Sequence, residues 1–117
     1  MSSPPEIQAC RFGRIVIDDA VYKRDVIIFP DRVQSDWRRI DGHNLALDDL
    51  VEVLENDPEA IILGQGAFGR MKVPDDVREG ITERGIELLM FRTDEACKAY
   101  NEMRVWQRVI AALHISC

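Results

Sequence analysis

Several absences narrow what this chain of 117 residues can be before any pattern is read. No apolar run approaches the roughly 20 residues that a helix needs to cross a bilayer. The opening Met1-Ser2-Ser3-Pro4-Pro5-Glu6 has neither the basic nor the apolar region of a secretory signal. Together these predict a soluble, cytoplasmic protein with no membrane partner. Cysteine occurs only as Cys10, Cys97 and Cys117. An odd number so widely spaced argues against a disulfide framework and against a structural zinc site, and predicts free thiols. There is no basic excess either: the net charge is -6. That weighs against nucleic acid as a partner, because such binding relies on Lys and Arg displacing counterions from phosphates.

What is present fits a single domain over 1–117, with 1–9 as a flexible lead. At 46% hydrophobic content the chain can bury about two thirds of its unfolded surface. The acidic excess is local. Acidic and basic residues balance in 1–43 and again in 67–117, whereas 44–66 holds six acidic residues and no basic one.

Residues 12–17 and 21–29 are rich in β-branched and aromatic side chains and are separated by Asp18-Asp19-Ala20, which predicts a β-hairpin. Val26-Ile27-Ile28-Phe29 is apolar without alternation, as suits a strand covered on both faces, and Pro30-Asp31 ends it. After a loop through 35–43, Leu47, Leu50, Val51 and Leu54 recur at helical spacing opposite Asp48, Asp49, Glu52 and Glu55, an amphipathic helix with an acidic outer face. Residues 61–63 predict a short inner strand. A helix then runs from Pro74 to about Arg84, with Gly85 as its left-handed C-terminal residue. Residues 86–91 form another core strand, parallel to the preceding one. Thr93 caps a third helix with its hydroxyl, Cys97, Tyr100 and Met103 face inward from it, and 108–115 is a final strand. This alternation implies an α/β domain on one largely buried sheet.

Gly64-Gln65-Gly66-Ala67-Phe68-Gly69 follows an inner strand with the letters of a dinucleotide fingerprint. In that motif the helix begins within the glycines and directs its unpaired N–H groups at a pyrophosphate. Pro74 places the helix start too late for this. Arg92 also stands where an acidic residue should end the second strand. The glycines are therefore read as a turn, no cofactor is expected, and open amides there could still form a nest for a small anion.

Trp37, Arg38, Arg39 and His43 form the one local cluster with aromatic and cationic character. In a functional reading Arg38 or Arg39 supplies a forked donor pair, His43 a switchable proton, and Gly64 and Gly66 backbone donors, making an anion or carboxylate site. In a structural reading Trp37 packs over the sheet, an arginine caps the acidic helix, and His43 bonds to backbone. No adjacent Ser, Cys or paired carboxylate completes a catalytic set, so no catalytic residue is assigned. Cys97 is read as core, since it shares the inward stripe with Tyr100. His114 and Cys117 resemble a ligand pair, but their odd separation on a strand points them to opposite faces, so no metal site is assigned. Asp48, Glu52 and Glu55, without Lys or Arg on their helix, are the candidate partner surface.

Taken in order, Trp37-Arg38-x-x-x-Gly42-His43, Gly64-x-Gly66, Val73-Pro74, Gly85, Thr93-x-x-Ala96-Cys97-x-x-Tyr100-Asn101 and Arg108-Val109-x-Ala111-Ala112-Leu113 resemble a small α/β domain family. Its members include the human adipogenesis-associated domain-containing protein, a mitochondrial respiratory complex I assembly factor, and many archaeal and bacterial proteins. The resemblance runs from Phe12 to nearly the end of the chain. It implies a mixed central sheet flanked by helices with an N-terminal β-hairpin element, and a protein-binding role without an assigned reaction. Two departures stand out. Ala46 occupies a position where members commonly carry a capping Ser or Thr, and Trp106-Gln107 replaces a turn that often contains Gly.

The sequence thus favours a non-enzymatic protein-interaction or assembly module whose partner is another protein. Exposed Phe68 or Trp106 would allow a homo-oligomer. The alternative is a small-anion-binding protein or minor enzyme using a pocket between Trp37, Arg38 and His43 on one side and Gly64 and Gly66 on the other.

Overall fold

The computed structural model describes residues 3–116. Its centre is a mixed five-stranded sheet. Strand β4 (Val26–Phe29) and β5 (Arg32–Gln34) are joined by the tight Pro30-Asp31 turn, and β6 (Ala60–Gln65), β7 (Glu87–Phe91) and β8 (Val109–His114) complete the order β5-β4-β8-β6-β7. β6 runs parallel to both β7 and β8, and β4 is antiparallel to β8. A smaller antiparallel sheet holds β1 (Ile7–Arg11), β2 (Arg14–Ile17) and β3 (Ala20–Tyr22).

The unbroken apolar runs explain the layering. In β4, Val26 and Ile28 join the core on one side, and Ile27 and Phe29 the core on the other. β6 and β8 divide in the same way, so each inner strand is covered twice. On one face lie the small sheet and helix α3 (Thr93–Met103); on the other lie α1 (Val51–Glu55) and α2 (Asp75–Thr82). No described helix is long and apolar enough to cross a membrane.

The expected hairpin is present, but its second arm breaks. Asp18 and Asp19, at φ 47° and 69°, make the positive-φ turn that a two-residue hairpin demands. β3 ends at Tyr22, and after 23–25 the chain crosses into the large sheet as β4. Ordered structure also starts earlier than the flexible lead suggested. Asn101 bonds Ile7 through both backbone groups, at 3.0 and 2.7 Å, and the Tyr100 hydroxyl donates to the Pro5 carbonyl at 2.7 Å, so α3 clamps the first strand.

Three further expectations shift. The acidic helix is a 3-10 turn over Leu47–Leu50 followed by the short α1, and the change of pitch turns Val51 outward and Val53 inward. Ala46 starts the helix without a hydroxyl: the Asp49 N–H donates to the Ala46 carbonyl at 3.0 Å, and the Asp49 carboxylate accepts the N–H of Ala46 at 2.8 Å and that of Ile40 at 3.1 Å. β7 is an edge strand whose residues are only partly buried, not a core strand.

Candidate functional site

Strand register gathers the polar groups at the carboxyl ends of β6 and β8. Val26 pairs with Leu113, which sets Asp25 beside His114, and Gln65 pairs with His114, which brings Gly66 to the same point. Asp25 Oδ2 lies 2.8 Å from His114 Nδ1. Because a carboxylate only accepts, Nδ1 carries the donated proton. Arg39 Nη2 donates to the same oxygen at 2.9 Å, and the Ile115 amide to Asp25 Oδ1 at 2.8 Å. Arg39 Nε donates to the Gly42 carbonyl at 3.0 Å, and its guanidinium lies 4.6 Å from the centre of the Trp37 ring.

These side chains are withdrawn from water, with exposures of 4% for Arg39, 7% for His114 and 13% for Asp25. Burial by itself would raise the Asp25 pKa, but the hydrogen bonds from His114, Ile115 and Arg39 outweigh it and hold the carboxyl below its ordinary range. Arg39 Nη1 is buried without a hydrogen-bond partner among the described residues. An open cavity of about 380 Å³ borders this network, with Lys23, Arg24 and Arg38 adding positive charge to its wall and Asp36 opposing them.

The sequence-predicted residues divide around this centre. Trp37 is buried, and its indole N–H donates to the Asp49 carbonyl at 3.2 Å. Arg38 is exposed and pairs with Asp36, so Arg39 is the arginine that turns inward. The exposed His43 meets the His114 ring edge-on, with centres 6.1 Å apart. Gly66, at φ 94°, leaves room for His114: a Cβ there would sit 2.8 Å from His114 Cδ2. Gly64 lies inside β6 under Thr93 and Leu113.

The loop amides at this turn are largely engaged. Gly66 N–H donates to Thr93 Oγ1 at 2.9 Å, Ala67 to the Ser116 carbonyl at 2.9 Å, and Gly69 to the Gly66 carbonyl at 3.2 Å. Thr93 therefore does not cap α3 as expected. Its hydroxyl donates instead to the His114 carbonyl and ties β6 to β8. The helix itself starts at Asp75, so the glycine run opens no helix.

Of the acidic residues, Glu52 is paired with Arg32 at 2.8 Å, while Asp48 and Glu55 stay exposed. The helix-capping arginine is neither Arg38 nor Arg39. Arg108 donates to the Asn56 carbonyl through Nε at 3.1 Å and Nη2 at 2.8 Å. Among the described residues no cluster of three or more His, Cys, Asp or Glu is arranged as metal ligands. Cys117, and with it the pairing with His114, lies outside the described residues.

The sequence offered Phe68 as an exposed residue but not its pairing with Phe12, nor the pairing of Cys10 with Cys97. Phe12, from the β1–β2 turn, and Phe68, from the loop after β6, are each 61% exposed with rings 6.3 Å apart. Beside them a cavity of about 250 Å³ is lined by Cys10, Phe12, Ala67, Arg92 and neighbouring residues. Cys10 and Cys97, 87 residues apart in sequence, bring their sulfurs within 2.6 Å. No local sequence signal links either pair. Asp25 was missed as well, and the one hint to it was a charge abutting a strand buried on both faces.

This arrangement of a mixed sheet, a small antiparallel sheet and three helices defines a class of α/β domain seen in solved structures. A Mth938-like domain from Bordetella pertussis shares the fold at 16% identity and TM-score 0.67, over 98% of this chain and 90% of that one. A conserved hypothetical protein from Pyrococcus horikoshii OT3 matches at 25% identity and TM-score 0.84, over 96% and 99%. The protein MT938 matches at 29% identity and TM-score 0.82, over 97% and 99%. Residues 7–114 match the family described as "Protein of unknown function (DUF498/DUF598)", and the chain belongs to that family.

Proposed function

We propose that this domain is a non-catalytic protein-interaction module, and that its docking face is the aromatic pair Phe12–Phe68 rather than the acidic helix. The observation that carries this reading is the exposure of the two rings, 61% each, at one spot. A folded chain gains by burying rings of this size. Covering both with a partner removes apolar area worth on the order of 5 kcal/mol before the costs of association. The rim is basic although the chain is acidic overall. Arg70 lies 5.6 Å from the Phe68 ring centre, Arg11 adjoins Phe12, and Arg92 lines the adjoining cavity. An apolar anchor flanked by acidic side chains fits this surface. The acidic helix is a weaker face, because it is short and Arg32 already pairs with Glu52.

The test compares partners recovered by the wild type, by Phe12→Ser/Phe68→Ser, and by Val105→Ser/Trp106→Ser, which alters exposed apolar residues elsewhere. Circular dichroism verifies folding of each. A partner lost only with the first pair of substitutions supports the reading, and equal recovery by all three overturns it.

A second reading, a small-anion-binding protein, is favoured by the gathering of Arg39, Lys23, Arg24 and Arg38 around one open cavity, with Arg39 Nη1 buried and unsatisfied among the described residues. Titration with phosphate, sulfate and small carboxylates, followed by the ring signals of His43 and His114, tests it. Unmoved signals with every anion reject it.

A further inference from the structure

The first strand and the third helix deliver two thiols to one point at the rim of a cavity. The Cys97 thiol donates to the Cys10 sulfur at 2.6 Å. The two sites differ in access. Cys10 is half-buried and forms part of the wall of the cavity of about 250 Å³, whereas Cys97 is 4% exposed and sealed behind it in the core. An accessible thiol backed by a hidden one is the arrangement of an attacking and a resolving cysteine. We infer that Cys10 and Cys97 are a thiol–disulfide exchange site that accepts low-molecular-weight disulfides through this cavity. The inference does not depend on the docking reading.

The reaction balances without another reagent. Cys10 gives its proton to water and, as thiolate, attacks one sulfur of the small disulfide; that S–S bond breaks, one thiolate leaves and takes up a proton from water, and a mixed disulfide forms on Cys10. Cys97 then gives its proton to water and attacks Cys10 Sγ. The second small thiolate leaves and takes up a proton from water as the Cys10–Cys97 bond forms. Two protein thiols are oxidised, and one small disulfide is reduced to two thiols.

Local electrostatics agree with this division of roles. The hydrogen bond from Cys97 holds the Cys10 thiol below its ordinary range, against burial and the nearby Asp94. The same bond, reinforced by burial, pushes the Cys97 thiol up. Arg11 and Arg92 also line the cavity and oppose the Asp94 charge.

The test uses the full chain carrying Cys117→Ser, reduced and then equilibrated with glutathione disulfide, digested without reduction and mapped by mass spectrometry. The expected product is a Cys10–Cys97 linked peptide, with no glutathione retained at equilibrium. Adding Cys97→Ser should trap glutathione on Cys10, and adding Cys10→Ser should abolish both products. The linked-peptide measurement needs neither of these two variants. Its absence across the full range of glutathione redox ratios, or glutathione persisting on Cys10 while Cys97 is present, would overturn the inference.

Discussion

Asp25 and His114, 89 residues apart, meet at 2.8 Å between the carboxylate and ring Nδ1, and Arg39 closes on the same oxygen at 2.9 Å. Neutralising the carboxylate strands a buried guanidinium and removes the partner of the imidazole. Asp25→Asn is expected to destabilise the domain by about 3 kcal/mol, because breaking a buried pair costs far more than an exposed one is worth. Urea denaturation of the wild type and variant measures this. A difference below about 0.5 kcal/mol would assign the network no structural role.

The same carboxyl sets an acid limit on stability. Its folded pKa lies below its ordinary value, so its contribution is complete above the unfolded value of about 3.9. That contribution is lost as pH falls through the lower, folded value. The stability gap between wild type and Asp25→Asn should therefore shrink below about pH 4. Denaturation at a series of pH values follows it, and a gap that stays constant into strong acid would contradict the assignment.

Gly66 is constrained twice. Its φ is 94°, and an added Cβ would meet His114 Cδ2 at 2.8 Å and the Ser116 carbonyl at 2.9 Å. Gly66→Ala should cost about 2 kcal/mol or more. Gly42→Ala, where a Cβ meets nothing within 4 Å, should be neutral or slightly stabilising. Paired thermal melts distinguish the two, and equal effects would show that close packing at Gly66 does not matter.

Asn101 stands in for a neighbouring strand by bonding both backbone groups of Ile7. Asn101→Ala should speed amide exchange in β1, equivalent to about 1–2 kcal/mol of lost local protection. Exchange in β6 and β8 should remain slow. Uniform acceleration across all three strands would mean that the clamp supports the whole fold.

The inner strands were legible because Val26–Phe29 and 61–63 are apolar without alternation, a pattern that only double coverage satisfies. Pro74 was equally informative, since no helix can run through it from the glycines, and α2 begins at Asp75. Helical phase at Val51 was not legible. A 3-10 turn before α1 changes the angular step, and nothing in the apolar spacing announces that change. Thr93 misled for a related reason, because its hydroxyl serves a helix N–H or a distant strand equally well by composition. Only the approach of Gly66 and His114 settles the choice.

By itself, the order of residues determined the α/β alternation, the buried character of β4 and β6, and the exclusion of a dinucleotide loop, because these rest on local sterics and on periodicity along the chain. The tertiary structure alone decided that Arg39 rather than Arg38 turns inward, that Asp25 joins His114, and that Cys10 faces Cys97. Those contacts arise from the register of strands distant in sequence and from the packing of α3 on β1, and no local propensity encodes either.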